Sequence, residues 1–165
     1  MNLLDRIQIK EPRYDSKYYQ FILDYTIEQG SRMGTSTEKE KYERGKYFST
    51  RYEMYMYAAL LGLRKDYVLP LESSTDKKSF NKIGAWNPET VTNYIIMSVI
   101  AKGDYDLFEM EEMDDSELEK KITQIKSEIE AYANGGFDII HSKYQEDENY
   151  FIENENSFID LLDEI

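Results

Sequence analysis

Ser116-Glu-Leu-Glu-Lys-Lys-Ile-Thr-Gln-Ile-Lys-Ser-Glu-Ile-Glu-Ala-Tyr132 is the stretch on which the fold turns. Leu118, Ile122, Ile125, Ile129 and Tyr132 recur every three or four residues, the spacing of one apolar face of an α-helix. Ser116 followed by Glu119 fits a capping box, in which each side chain satisfies a free backbone donor at the helix start. Asn134-Gly135-Gly136 then either ends this helix or marks a break before Phe137 to Tyr144. Two glycines inside a helix cost up to about 2 kcal/mol relative to alanines.

Working outward, Asn87-Pro88-Glu89 reads as a helix start, with a cap, a proline at the first position and an acid in the first turn. That helix carries Val91, Tyr94, Ile95, Ser98 and Val99 and stops at Gly103. Asp104 caps a short helix through about Met113. Upstream, Ser49 or Thr50 caps a core helix ending at Gly62, marked by Tyr52, Tyr55, Met56, Ala59 and Leu60. A first helix is expected from Ser16 to Gln29, with Gly30 as its stop. Gly30 to Thr37 reads as a flexible loop, and Glu38 to Lys46 as a short solvated helix or more loop.

Tyr67 to Leu71 is extended, because Pro70 biases Leu69 away from helix, and it could pair as an edge strand. Glu72 to Ala85 reads as loop, and Glu146 to Asn156 as acidic and weakly patterned. Ser157 caps a last amphipathic turn or two with Phe158, Leu161, Leu162 and Ile165 on one side. These elements predict a mainly α protein, a single compact multi-helix domain over residues 1–165 with at most a minor short strand pair.

Charge is segregated along the chain. Residues 1–85 hold 15 Lys/Arg and 12 Asp/Glu, whereas residues 86–165 hold 5 and 21, so the halves carry +3 and −16 and sum to −13. With 41% hydrophobic and 14% aromatic residues, the chain can build a core despite this charge. Fifteen tyrosines suit half-buried positions, with an apolar ring and a polar tip. The absence of cysteine excludes disulfides, thiolate metal sites and a cysteine nucleophile. Met1 to Lys10 lacks the apolar core of a signal peptide, and no apolar run approaches the ~20 residues that span a bilayer. A soluble, cytoplasmic chain is the expectation.

No residue pattern names a reaction. The single histidine, His141, has no nucleophile elbow to accompany it and reads as a partly buried core residue. The acids Asp104, Asp106, Glu111, Glu112, Asp114 and Asp115 lack EF-hand register and read as a solvated face rather than a metal site. Neither phosphate-binding glycine motif is present, and Gly30-Ser-Arg-Met-Gly34 follows a helix rather than a strand. No catalytic residue, metal or cofactor is expected.

Binding candidates remain. Arg32, Lys39, Lys41, Arg44, Lys46 and Arg51 lie among tyrosines, a mixture suited to a nucleic-acid backbone or stacked bases, although interleaved acids leave residues 38–53 at only +1. The acidic half could instead imitate a phosphate backbone and occupy a DNA-binding partner. Asn134, Gly135 and Gly136 ask for backbone freedom or a close approach. With Phe158, Leu161 and Leu162 of the terminal helix, they are the candidate partner contacts, the alternative for that helix being to dock on its own body.

Two segments carry a resemblance. Tyr47-Phe-Ser-Thr-Arg-Tyr-Glu-Met-Tyr-Met-Tyr-Ala-Ala-Leu-Leu-Gly-Leu63, followed by Val68-Leu-Pro-Leu71, is the first. Glu130-Ala-Tyr-Ala-Asn-Gly-Gly-Phe-Asp-Ile-Ile140, closed by Phe158-Ile-Asp-Leu-Leu-Asp-Glu-Ile165, is the second and more specific. Together they resemble the small proteins associated with bacterial DNA phosphorothioation (Dnd) systems, the fourth family of associated proteins. The resemblance implies a bacterial protein that accompanies sulfur modification of DNA and the linked defence against foreign DNA, and it brings no catalytic residue. The expected role is a non-enzymatic accessory protein acting through protein contacts in a modification or anti-phage defence complex. The alternatives are an acidic DNA mimic, or a direct DNA-binding module using residues 32–51.

Overall fold

A computed structural model describes residues 1–26 and 47–164. In chain order these form α1 (Leu3–Gln8), β1 (Arg13–Asp15), α2 (Tyr19–Asp24), α3 (Arg51–Lys65), β2 (Lys77–Ser79), α4 (Glu89–Lys102), α5 (Leu107–Glu112), α6 (Asp115–Glu146), α7 (Tyr150–Glu153) and α8 (Ser157–Asp163). Single 3₁₀ turns occupy Ser16–Tyr18 and Ile83–Ala85. The mainly α expectation holds, with one two-stranded antiparallel sheet among the described residues.

The organising element is α6, whose 32 residues extend about 48 Å at 1.5 Å per residue. It runs straight through Asn134-Gly135-Gly136, where a stop or break was expected. The glycines serve a close crossing with α3. A Cβ on Gly136 would sit 1.8 Å from the Ala58 carbonyl oxygen, and one on Gly62 of α3 would sit 2.1 Å from the Tyr132 carbonyl oxygen. Each helix thus contributes one glycine that lets the other's backbone in. Gly62 was expected to end α3, but the helix continues to Lys65 and stops at Asp66, in the left-handed region at φ 51°.

Tyr67 to Leu69, expected to be extended and to pair as an edge strand, pairs with no strand among the described residues. It lies along α6. The Leu69 N–H donates to the Ala131 carbonyl at 3.0 Å, and the Asn134 side-chain amide donates to the Leu69 carbonyl at 2.8 Å. Gly135 makes room there, since its Cβ would meet the Tyr67 carbonyl oxygen at 2.3 Å.

The strand pair forms elsewhere. Arg13, Tyr14 and Asp15 of β1 face Ser79, Lys78 and Lys77 of β2, within a stretch expected to be loop. Its anchor is burial beneath it: Tyr14 is 3% exposed, and the Phe80 ring stacks on Tyr55 of α3 at 5.0 Å. Glu130 of α6, itself buried, accepts from the Arg13 backbone N–H at 2.7 Å and from its guanidinium Nε at 3.2 Å.

Other boundaries shift by a few residues, and the caps that form are carboxylates, which hydrogen bonding and the helix dipole both favour in front of a helix N-terminus. Asp114 rather than Ser116 caps α6, Asp106 rather than Asp104 caps α5, and Asp15 rather than Ser16 caps the first 3₁₀ turn. Thr50 does cap α3, while Pro88 holds the cap position of α4 without a side-chain bond. The α2 helix ends at Asp24, short of Gln29, and Thr26 bridges to Phe48. The weakly patterned acidic stretch contains α7, whose Phe151 is fully buried. Buried residues from α1 to α8 join in one core cluster.

Candidate functional site

Of the six cations named for nucleic-acid contact, only Arg51 is described. It opens α3 and is half-buried. Arg32, Lys39, Lys41, Arg44 and Lys46 lie outside the described residues, as do the expected loop and solvated helix around them. Met54, Tyr55 and Met56, which follow Arg51 on α3, are buried.

The candidate partner contacts are spent mostly inside the molecule. Asn134, Gly135 and Gly136 are buried at the α3–α6 crossing. Phe158 stacks on Phe151 at 4.6 Å and meets the edges of Phe48 and Tyr57, whose hydroxyl donates to the Phe158 carbonyl at 2.5 Å. Leu161 is buried as well. Leu162 alone is half-buried, at the margin of a shallow groove with Leu60, Leu63 and Tyr94.

The acidic stretch is where the surface differs from the rest. From Gly103 to Glu119 nine carboxylates occur with no lysine or arginine, and all nine are exposed. Asp115 pairs with Arg6 of α1 at 2.7 Å, and Glu119 pairs with Lys10. Glu109, Glu111 and Glu112 on α5 have no such partner among the described residues. Leu107 and Phe108 of the same helix are exposed apolar residues. Among the described residues, four of the eight exposed large apolar ones fall within fifteen positions of the sequence, Tyr94 and Met97 on α4 and Leu107 and Phe108 on α5.

Sequence patterning did not single these residues out. The signal was present, because Leu107, Met110 and Met113 follow a helical spacing that leaves Phe108 off the stripe, with acids three and four residues on.

The titratable groups show no converging chemistry. No group of three or more His, Asp or Glu among the described residues is placed to hold a metal ion. His141 is half-buried, its ring edge-on to Tyr18 at 5.6 Å. Burial pushes the Tyr55 phenol well above its ordinary value, and burial likewise raises Tyr57. Tyr105 is raised by burial and then by its bond to Glu128, whereas Tyr67 is raised first by its bond to Asp138. Phenols shifted upward stay protonated near neutrality and act as hydrogen-bond donors rather than nucleophiles. No helix among the described residues is long and apolar enough to cross a membrane.

The fold and surface define a class: a helical protein built on one tight helix crossing, with an exposed anionic ridge bearing apolar groups. A family model described as DNA sulphur modification system-associated protein 4 matches residues 33–159, and the chain belongs to that family. The family takes its name from association with a DNA sulphur modification system rather than from an enzymatic activity. No curated protein and no solved structure matches the chain.

Proposed function

We propose that this protein is a non-enzymatic accessory component of a bacterial DNA sulphur modification system, acting in the cytoplasm through contacts with that system's proteins. The observation that supports this reading is the pair of exposed apolar residues Leu107 and Phe108 on α5, set among exposed carboxylates of the same stretch. Exposed apolar groups rimmed by charge are the ordinary mark of a protein-binding surface. The test is affinity capture of the tagged chain after co-expression with the purified system's own protein components. Stoichiometric, nuclease-resistant retention of one component supports the reading, and retention of none removes it.

A second reading rests on the ridge itself. Nine exposed carboxylates follow one another in sequence without a lysine or arginine, and the seven that are not paired with Arg6 or Lys10 resemble a run of backbone phosphates. As a DNA mimic the chain would compete with duplex DNA for a basic partner, and neutralising Glu109, Glu111, Glu112, Asp114 and Asp115 together would abolish the competition. Direct DNA contact through residues 32–51 would instead give an affinity that falls steeply with salt and weakens on reversing Arg51 to glutamate.

A further inference from the structure

Phe108 is 84% exposed, more than any other large apolar residue described. The backbone that carries it is fixed. The Asp106 carboxylate accepts from the Phe108 N–H at 2.9 Å and the Glu109 N–H at 3.1 Å. Met110 is 2% exposed and pins the inner side of α5 to the core, while the Tyr105 hydroxyl donates to Glu128 at 2.8 Å just ahead of the helix. Two residues along a helix are about 200° apart, so with Met110 turned inward Phe108 is presented outward. Leu107 beside it is 38% exposed. A large aromatic ring that meets little of its own chain has nearly all of its surface left to bury on binding, which suits an anchor.

The surroundings select the occupant. Glu109, Glu111 and Glu112 share the six-residue helix with Phe108, inside the stretch of nine exposed carboxylates. That field repels a nucleic-acid backbone and an anionic lipid surface. It repels a second copy of the same ridge for the same reason. The surface that satisfies both the ring and the charge is an apolar pocket edged by lysine and arginine.

We propose that Phe108, with Leu107 beside it, is the anchor that seats in an apolar, lysine- and arginine-rimmed pocket on a protein component of the DNA sulphur modification system. This rests on the accessory reading above and adds the contact residue and the chemistry of the partner site. The carboxylates steer the encounter and the ring holds the complex.

The experiment measures binding of the full chain to each purified protein component of the system, singly, by calorimetry at about 0.1 M and about 0.5 M salt, where the screening length shortens several Å. Phe108→Ala is expected to weaken binding at least about tenfold at both salts, the behaviour of a central anchor, with its melting curve unchanged. Glu111→Gln with Glu112→Gln is expected to weaken binding at the lower salt and to lose that effect at the higher. If a component binds and Phe108→Ala leaves its Kd within about twofold, the anchor is refuted while the accessory reading stands. If no component binds the unaltered chain, both are refuted. Binding of the unaltered chain to duplex DNA that Phe108→Ala does not affect also overturns the anchor.

Discussion

Gly136 and Ala58 touch backbone to backbone: a Cβ on the glycine would lie 1.8 Å from the alanine's carbonyl oxygen and 2.8 Å from its Cα. Neither contact involves the flexible end of a side chain, so the crossing of α3 and α6 admits no methyl group without moving a helix. Propensity and packing therefore pull in opposite directions at this position. Propensity alone favours Gly136→Ala by about 1 kcal/mol. Overpacking of a fixed core costs about 1–3 kcal/mol and more where backbone is in the way. Gly136→Ala is expected to destabilise by about 2 kcal/mol or to prevent folding, read as a lowered urea midpoint. A raised midpoint would show that the crossing is looser than these distances.

Glu130 joins the same helix to the N-terminal strand. Its buried carboxylate accepts two bonds from Arg13, with Lys126 at 3.8 Å on the neighbouring turn. Removing the acid leaves the Arg13 N–H without its acceptor and leaves cations beside an apolar core. Glu130→Ala is expected to cost about 1–3 kcal/mol, the usual loss when a buried donor is left without its acceptor, the half-exposed Arg13 guanidinium turning to water. Glu130→Gln keeps a neutral acceptor for the backbone N–H and should lose less than half as much. Equal losses in the two variants, compared by urea unfolding, would assign the effect to packing volume alone.

How much of this was legible in advance follows from where each cause lies. The apolar face from Leu118 to Tyr132 is local, so its 3–4 spacing gave the helix correctly. Acids and hydroxyls two residues apart, Asp114 and Ser116, both satisfy the local rule for a cap, and only the folded backbone chooses between them. The glycine pair misled because its reason is distant: the carbonyls of Ala58 and Tyr67 lie more than sixty residues away in the chain. The strands Arg13–Asp15 and Lys77–Ser79 are three residues each and lack an alternating pattern. Nothing in the short helix that the sequence predicts through Met113 set Phe108 apart, because its exposure follows from Met110 taking the inner side in the fold.

The raised phenols predict alkaline instability. In the unfolded chain a tyrosine ionises near 10, whereas burial holds Tyr55 and Tyr57 protonated to higher pH in the fold. Below the unfolded value both states keep the proton, and stability does not change with pH on this account. Above it the unfolded chain releases protons that the folded chain retains, so stability falls by about 1.4 kcal/mol per pH unit for each such residue. Phenolate absorbance of the buried rings should therefore appear together with loss of helical circular dichroism, as one transition above about pH 10. Smooth ionisation of every tyrosine with the helices intact would contradict their burial.

The terminal helix gives the sharpest contrast between a docked element and a detachable one. Phe158 is 6% exposed among the rings of Phe48, Tyr57 and Phe151, and the Tyr57 hydroxyl fixes its backbone. Leu162, one turn on, is half-buried at the groove margin. If α8 belongs to the core, Phe158→Ala costs about 3–5 kcal/mol, the range for emptying a packed aromatic site. Leu162→Ala then costs less than about 1.5 kcal/mol, since much of its surface already meets water. A helix that instead leaves the body to reach a partner contributes little to the free chain, and both variants would unfold at the unaltered urea midpoint. The ring packing around Phe158 argues for the first outcome, which leaves the exposed apolar groups of α4 and α5, rather than the tail, to meet other proteins.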